Sequence, residues 1–193
     1  MKEKKLELPT LQEIVSKKAV FIKGDSINSF RMSKYETTIG EYLQFCQETG
    51  HEFPEEVDTV NKQLPITYVS WNDAKVYCDY VGGRLPTVEE WEVAANGGNK
   101  QEDFTYRGSS QIDVVAWYRG NCKSLQKVGV KKANTLGLCD MSGNASEWCN
   151  DTSEVYRDKR KVVGGSWQEL ASQLKLNNHQ TSFNKDRGIH HIS

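Results

Sequence analysis

Long apolar runs are absent from this 193-residue sequence. No stretch approaches about 18 consecutive apolar residues, so no membrane-spanning helix is expected. The lysines near the N-terminus lead into no apolar segment; Leu6-Glu-Leu-Pro9 interrupts it, and no secretory signal is read. A cytoplasmic location is the expectation, although a secreted chain trimmed of its leader would read the same. Charge of one sign is also lacking. Lys and Arg total 25 against 26 Asp and Glu, a formal net charge of −1. The two basic clusters, Met1-Lys-Glu-Lys-Lys5 and Arg157-Asp-Lys-Arg-Lys161, are broken by acids and read as solvated surface. No nucleic-acid footprint is indicated. Metal-type cysteine and histidine spacing is missing too: no CxxC and no HxxxH pair suggests zinc. The five cysteines, Cys46, Cys78, Cys122, Cys139 and Cys149, are odd in number and widely spaced. Buried thiols are expected, not a disulfide framework. No internal repeat or low-complexity tract occurs, and no G-x-S-x-G word marks a hydrolase nucleophile.

What is present points to one compact domain. A chain of this length hides roughly two-thirds of its unfolded surface. Five Trp and eight Tyr can carry a core that the modest 37% of hydrophobic residues does not fill with aliphatics. Residues 1–18 are charged, with a short helix predicted after Pro9-Thr10, where Glu13 completes an S/T-x-x-E box. Ala19-Val-Phe-Ile-Lys23 and the alternating Ser29-Phe-Arg-Met-Ser-Lys-Tyr35 read as strands. Three helices follow. Thr38-Ile-Gly-Glu41 opens the first, with apolar Ile39, Tyr42, Leu43 and Cys46 and a stop at Gly50. Ser70-Trp-Asn-Asp73 opens the second, with a stripe of Ala74, Tyr77, Cys78 and Val81 before Gly82-Gly83. Thr87-Val-Glu-Glu90 opens the third, with Val88, Trp91 and Ala95 on one face before Gly97-Gly98. Beyond residue 98 the periodicity fades. Asp113-Val-Val-Ala-Trp-Tyr118 and Lys161-Val-Val163 are short strand candidates; the rest reads as loops pinned by buried tryptophans and by hydrogen bonds or metal.

Six segments, taken in order, carry a resemblance. They are Met32-Ser-Lys-Tyr-Glu-Thr-Thr38; Pro65-Ile-Thr-Tyr-Val-Ser-Trp-Asn-Asp-Ala74; Gly83-Arg-Leu-Pro-Thr-Val-Glu-Glu-Trp-Glu-Val-Ala-Ala95; Val115-Ala-Trp-Tyr118; Asn134-Thr-Leu-Gly-Leu-Cys-Asp-Met-Ser-Gly-Asn-Ala-Ser-Glu-Trp148; and Val163-Gly-Gly-Ser-Trp167. Together they resemble the formylglycine-generating-enzyme (sulfatase-modifying factor) family from about residue 19 to the C-terminus. The resemblance implies an irregular, loop-rich α+β fold related to C-type lectin domains. Residues 1–18 are then an N-terminal extension and 19–193 the domain.

Enzymes of that family oxidise a substrate cysteine with copper and oxygen. Their copper is held by two cysteines between the Gly-Gly-Ser-Trp word and the C-terminal end. Thiolate pairs suit soft Cu(I), yet Gln168 to Ser193 contains no cysteine. No copper is therefore expected, and the reading leans away from an enzyme. A second enzymatic branch holds non-haem iron with histidines of a separate helical domain, for which this chain has no room. Its histidines, His51, His179, His190 and His191, read as surface residues; neighbours such as His190 and His191 would face opposite sides of a strand. Calcium is the metal the resemblance carries over, with carboxylates from Asp140 and Glu147 and carbonyls from Gly143 and Ala145, a hard-oxygen set. The alternative is a turn held by hydrogen bonds alone. A second family calcium site near Asn121-Cys122 lacks an acidic partner in Val128 to Asn134.

An intact scaffold without its catalytic cysteines fits a non-catalytic module that binds a protein, peptide or glycan. Some family members carry hypervariable C-terminal binding surfaces diversified by retroelements. Trp167, Asn177, Asn178, His179, Phe183 and Asn184 are the candidate contacts, since amides and aromatics make adaptable interactions. The alternatives are an enzyme with altered metal or oxygen chemistry, and a pseudoenzyme subunit that regulates a partner.

Overall fold

The computed structural model describes residues 9–24, 27–98, 103–154, 158–176 and 181–184. Helix α1 (Leu11–Lys18) leads directly into an antiparallel hairpin of β1 (Ala19–Ile22) and β2 (Phe30–Ser33). Helices α2 (Ile39–Thr49), α3 (Trp71–Tyr80) and α4 (Val88–Ala95) follow, then a single turn, α5 (Ile112–Val115). A second antiparallel sheet is made of β3 (Glu147–Thr152), β4 (Lys159–Val163) and β5 (Thr181–Asn184), in that spatial order. Helices gather early and loops dominate late, which is the α+β architecture read from the sequence.

Each of the first four helices starts where its polar sequence box stands. Thr10, Thr38, Ser70 and Thr87 accept from the third helical N–H, and Glu13, Glu41, Asp73 and Glu90 return a carboxylate to the cap N–H. Each box satisfies two backbone donors that would otherwise lack partners. Helix α2 stops at Gly50, whose φ of 76° a residue without Cβ adopts at no steric cost. The far end of α4 is closed from a distance: Asn134 Nδ2 donates to the Ala94 and Ala95 carbonyls at 2.8 and 3.2 Å.

The segment Asp113 to Tyr118 departs from the strand expected there. It forms α5 and then an extended stretch in which Trp117 makes an isolated bridge to Gly143. Among the described residues Val114 and Val115 have no neighbouring strand to pair with, and a local Ala116 N–H to Ile112 carbonyl bond at 2.9 Å replaces that pairing. Strand β3 was not expected either. Its adjacent Trp148 and Cys149 are both buried, because each face of the strand packs on a different core. Alternation, the usual strand signal, is thereby erased.

Those cores meet at two tryptophans. One groups Leu11 of α1 with Ile39, Tyr42 and Phe45 of α2 and Tyr77 of α3. Another groups Trp91 and its α4 neighbours with Ile22, Leu138, Met141 and Val163. Between them, Trp71 and Trp148 share a cluster with Leu85 and Val162. Their indole N–H groups cross over: Trp71 donates to the Cys149 carbonyl at 2.9 Å, and Trp148 to the Val69 carbonyl at 3.1 Å. Burying each ring contributes about 2–3 kcal/mol, and the bonds spare their polar edges.

Candidate functional site

The loop from Asp140 to Glu147 is folded by residues with positive φ, Asp140 and Asn144 at 59° and Gly143 at 78°. Gly143 has no room for a side chain, since a Cβ there would lie 2.0 Å from the Trp117 carbonyl oxygen. Asn144, fully buried, is tied down at every polar group. Its N–H donates to the Trp117 carbonyl at 2.9 Å, and its carbonyl accepts from the Trp167 N–H at 2.9 Å. Its side-chain oxygen accepts from the Gln126 N–H at 2.9 Å. Its amide donates to Glu36 Oε2 at 2.6 Å and to the Gln126 carbonyl at 3.1 Å. Glu36 also accepts from the Ala145 N–H at 2.8 Å. One buried carboxylate from the segment before α2 thus holds the loop more than a hundred residues away.

Three acids crowd this place. Burial, followed by the charges of Asp140 and Glu147, pushes the Glu36 carboxyl well above the usual carboxylate range. Burial raises Asp140 to about 6, against the Gly129 N–H that donates to its Oδ2 at 2.6 Å. Burial likewise raises Glu147 to about 7, opposed by the Trp91 indole N–H at 3.0 Å. The Asp140 charge adds to that rise, and the Arg107 charge offsets part of it. Arg107 is itself buried, stacked 4.8 Å from the Trp91 ring centre, with Nε and Nη1 lacking hydrogen-bond partners. Burial lowers its guanidinium to about 10 despite the nearby Glu92 and Glu147.

The residues fit a hard cation in part. Asp140 Oδ1 and Ser142 Oγ are buried and make no hydrogen bond. The Ala145 carbonyl oxygen and Glu147 Oε1 each lie 3.9 Å from where a Cβ on Gly164 would stand. Mixed carboxylate and carbonyl oxygens are calcium chemistry. Among the described residues no three His, Cys, Asp or Glu side chains converge as a metal cluster, so carbonyls must complete the set. At the other place considered from sequence, the Asn121 side chain is committed to its own turn: Oδ1 accepts from the Tyr118 N–H, and Nδ2 donates to Asp113 and to the Ala116 carbonyl.

The candidate contact residues fall in separate places. Trp167 is half-buried beside the Asn144 loop. Phe183 is half-buried on β5, opposite Arg160 of β4, and packs against the Trp71–Trp148 cluster. Asn184 pairs with Lys159 through its backbone position in β5. Asn177, Asn178 and His179 lie outside the described residues. Glu36 and Arg107 were not picked out from sequence. Glu36 stands inside a motif word without a partner in its vicinity, and Arg107 reads as an ordinary surface cation in a turn-rich stretch.

All five cysteines are free. Burial raises every one: Cys46 to about 11, Cys78 to about 12, and Cys122, Cys139 and Cys149 upward as well. A thiol held protonated is a poor nucleophile and a poor ligand for a soft metal.

Residues 17–191 match the sulfatase-modifying factor enzyme 1-like domain. Chaperone protein LppX of Paenibacillus barcinonensis is 30% identical over 222 residues, covering 83% of this chain and 77% of that protein. Inactive C-alpha-formylglycine-generating enzyme 2 of Mus musculus is 36% identical over 121 residues, 56% of this chain and 39% of its own length. Among solved structures, Treponema denticola variable protein 1 superposes with a TM-score of 0.68 at 20% identity, covering 91% of this chain and 89% of that one. That likeness is one of fold. No helix among the described residues is long and apolar enough to cross a membrane. The order of the motif words, the architecture and the match over nearly the whole chain agree: the protein belongs to the sulfatase-modifying factor family, on the formylglycine-generating-enzyme fold.

Proposed function

We propose that this protein is a non-catalytic, polypeptide-binding member of its family. The observation that carries the reading is the state of its thiols. The segment in which family enzymes hold copper has no cysteine, and burial keeps all five cysteines elsewhere protonated. Relatives named as a chaperone and as an inactive formylglycine-generating enzyme support the same direction. The surface assigned to binding is the C-terminal segment, from Trp167 through Phe183 and Asn184 and including Asn177, Asn178 and His179. The test pairs two measurements on the full chain. Purified protein is expected to suppress aggregation of a chemically denatured model polypeptide at near-stoichiometric ratio. Supplied with Cu(I), oxygen and a cysteine-containing peptide, it is expected to leave that peptide unchanged. Oxygen uptake with conversion of the peptide cysteine to an aldehyde would overturn the reading.

The same proposal includes one structural Ca²⁺ held by the Asp140 and Glu147 carboxylates and the Gly143 and Ala145 carbonyls. When bound, the ion supplies the positive charge that crowded buried acids need. Elemental mass spectrometry after dialysis against calcium is expected to give about one ion per chain. Loss of that ion in Glu147→Gln, with the fold retained, would tie it to this loop.

A further inference from the structure

A cavity of about 440 Å³ opens between α1, the β1–β2 hairpin, α2 and the end of α3. That volume suits a small organic molecule. Its rim includes exposed Ser16, Ser33, Gly82 and Gly83, and its depth reaches buried Val69 and Trp148. Phe30, Tyr35, Tyr42, Tyr77 and Trp148 bring aromatic rings to the wall, and the faces of such rings attract cations. The charged groups on the wall are the carboxylates of Glu36, Glu41, Glu90 and Glu147 and the guanidiniums of Arg31 and Arg84. Glu36 is engaged at both oxygens, by Asn144 and by the Ala145 N–H. Glu41 accepts from Lys18 and closes its helix cap. Glu90 takes both arms of Arg84. Glu147 is different. Its Oε2 accepts from the Trp91 indole, and among the described residues no hydrogen bond reaches Oε1. Ser146 and Trp148 on either side are buried, whereas Glu147 keeps accessible surface deep in the molecule, on the wall of this cavity. Its Oε1 shares in that surface and is not sealed off as Asp140 Oδ1 is. An open carboxylate oxygen among aromatic rings offers an ammonium group both a charged acceptor and ring faces.

We infer that this cavity binds an organic ammonium ion with an apolar or aromatic stem, its nitrogen set against Glu147 Oε1 and its stem along the rings. A free amine and a lysine side chain on a polypeptide offer the same chemistry, and the two sources are separable. The inference does not rest on the function proposed above. It shares one oxygen with the Ca²⁺ proposed there, so the two cations exclude each other at Glu147.

The experiment titrates phenethylamine, its neutral analogue phenylethanol, its anionic analogue phenylpropionate and N-acetyl-lysinamide onto the calcium-free full chain at pH 8, followed by ligand-observed NMR. Phenethylamine is expected to bind about ten- to hundredfold tighter than phenylethanol, the worth of a hydrogen bond to a charged group. Phenylpropionate is expected not to bind. Glu147→Gln keeps the size of the side chain and is expected to erase the advantage of the amine while leaving the alcohol unchanged. Val81→Trp, or Met32→Trp should the first fail to fold, fills the cavity and is expected to abolish both. Calcium loaded onto the chain is expected to displace phenethylamine but not phenylethanol. If elemental analysis finds no calcium on the chain, the calcium reading falls, and the selectivity of the unaltered chain among the three phenyl probes still decides this one. Binding of N-acetyl-lysinamide beside phenethylamine would assign the site to a lysine side chain; phenethylamine alone would assign it to a free amine. Equal affinity for amine and alcohol, an amine advantage that survives Glu147→Gln or calcium loading, or no binding of phenethylamine up to its solubility limit would overturn the inference.

Discussion

Asp140 and Glu147 make stability depend on pH in a direction that can be worked out. Burial lifts their carboxyls to about 6 and about 7, whereas an unfolded chain releases those protons near pH 4. The folded state therefore keeps protons that the unfolded state loses. The stability this contributes is complete below about pH 4 and is lost as pH rises through 6 to 7. For Glu147 the loss amounts to at most about 3 kcal/mol. Glu90 behaves oppositely, because Arg84 lowers its pKa and that contribution fades only on acidification, below this window. Thermal melts in chelator are expected to show Tm falling between pH 5 and pH 8, and added calcium to restore it at pH 8 but not at pH 5. A flat profile would mean that Arg107 already compensates the cluster. Gly143 gives a second residue-scale prediction. Gly143→Ala combines a φ of 78° with a Cβ 2.0 Å from a backbone oxygen. A cost above about 3 kcal/mol in urea unfolding is expected. The loop's sequence word showed which residues belong together. It did not show Glu36, because a bond across 108 positions leaves no local trace.

Helix starts were legible because a capping box is written within four residues and satisfied within four residues. All four boxes read from sequence close in the structure. Their weights should differ with burial. Thr87 caps α4, whose Val88, Trp91, Ala94 and Ala95 are buried, so fraying there exposes core. Thr87→Ala is expected to cost about 1–2 kcal/mol, and Thr10→Ala on exposed α1 about half as much. Paired urea titrations of the two variants check the ordering; equal costs would show that cap strength ignores what the helix covers. Strands were less legible. β1 and β2 pair with consecutive partners, and so do β3 and β4, but β3 has both faces covered and loses the alternation that marks a strand. β5, a short Thr-Ser-Phe-Asn edge, owes its conformation to Lys159–Val162 beside it, not to its own composition. Asp113 to Tyr118 failed in the reverse sense: β-branched residues with no strand to join closed a helical turn.

At the scale of the whole molecule, the question is whether the helical core and the sheet-bearing core open together. Cys46 lies in the cluster built on α1, α2 and α3, and Cys149 in the cluster of α4, β1 and β4. Both are buried, so each thiol reports the opening of its own half. The halves are joined through Trp71 of α3 and Trp148 of β3, whose crossed hydrogen bonds bind the segment around α3 to β3 from both sides. Separating them would strand two buried indole donors and expose two large rings, a combined cost of several kcal/mol. Partial opening therefore gains little over complete unfolding. In variants retaining only Cys46 or only Cys149, thiol-reagent labelling across a denaturant series is expected to give the same opening free energy and the same denaturant slope, both equal to global values. Cys122, half-buried at a turn, is expected to label faster without denaturant. Earlier labelling of Cys46 than Cys149 would mean that the helices detach as a unit and that the tryptophan pair does not couple the halves.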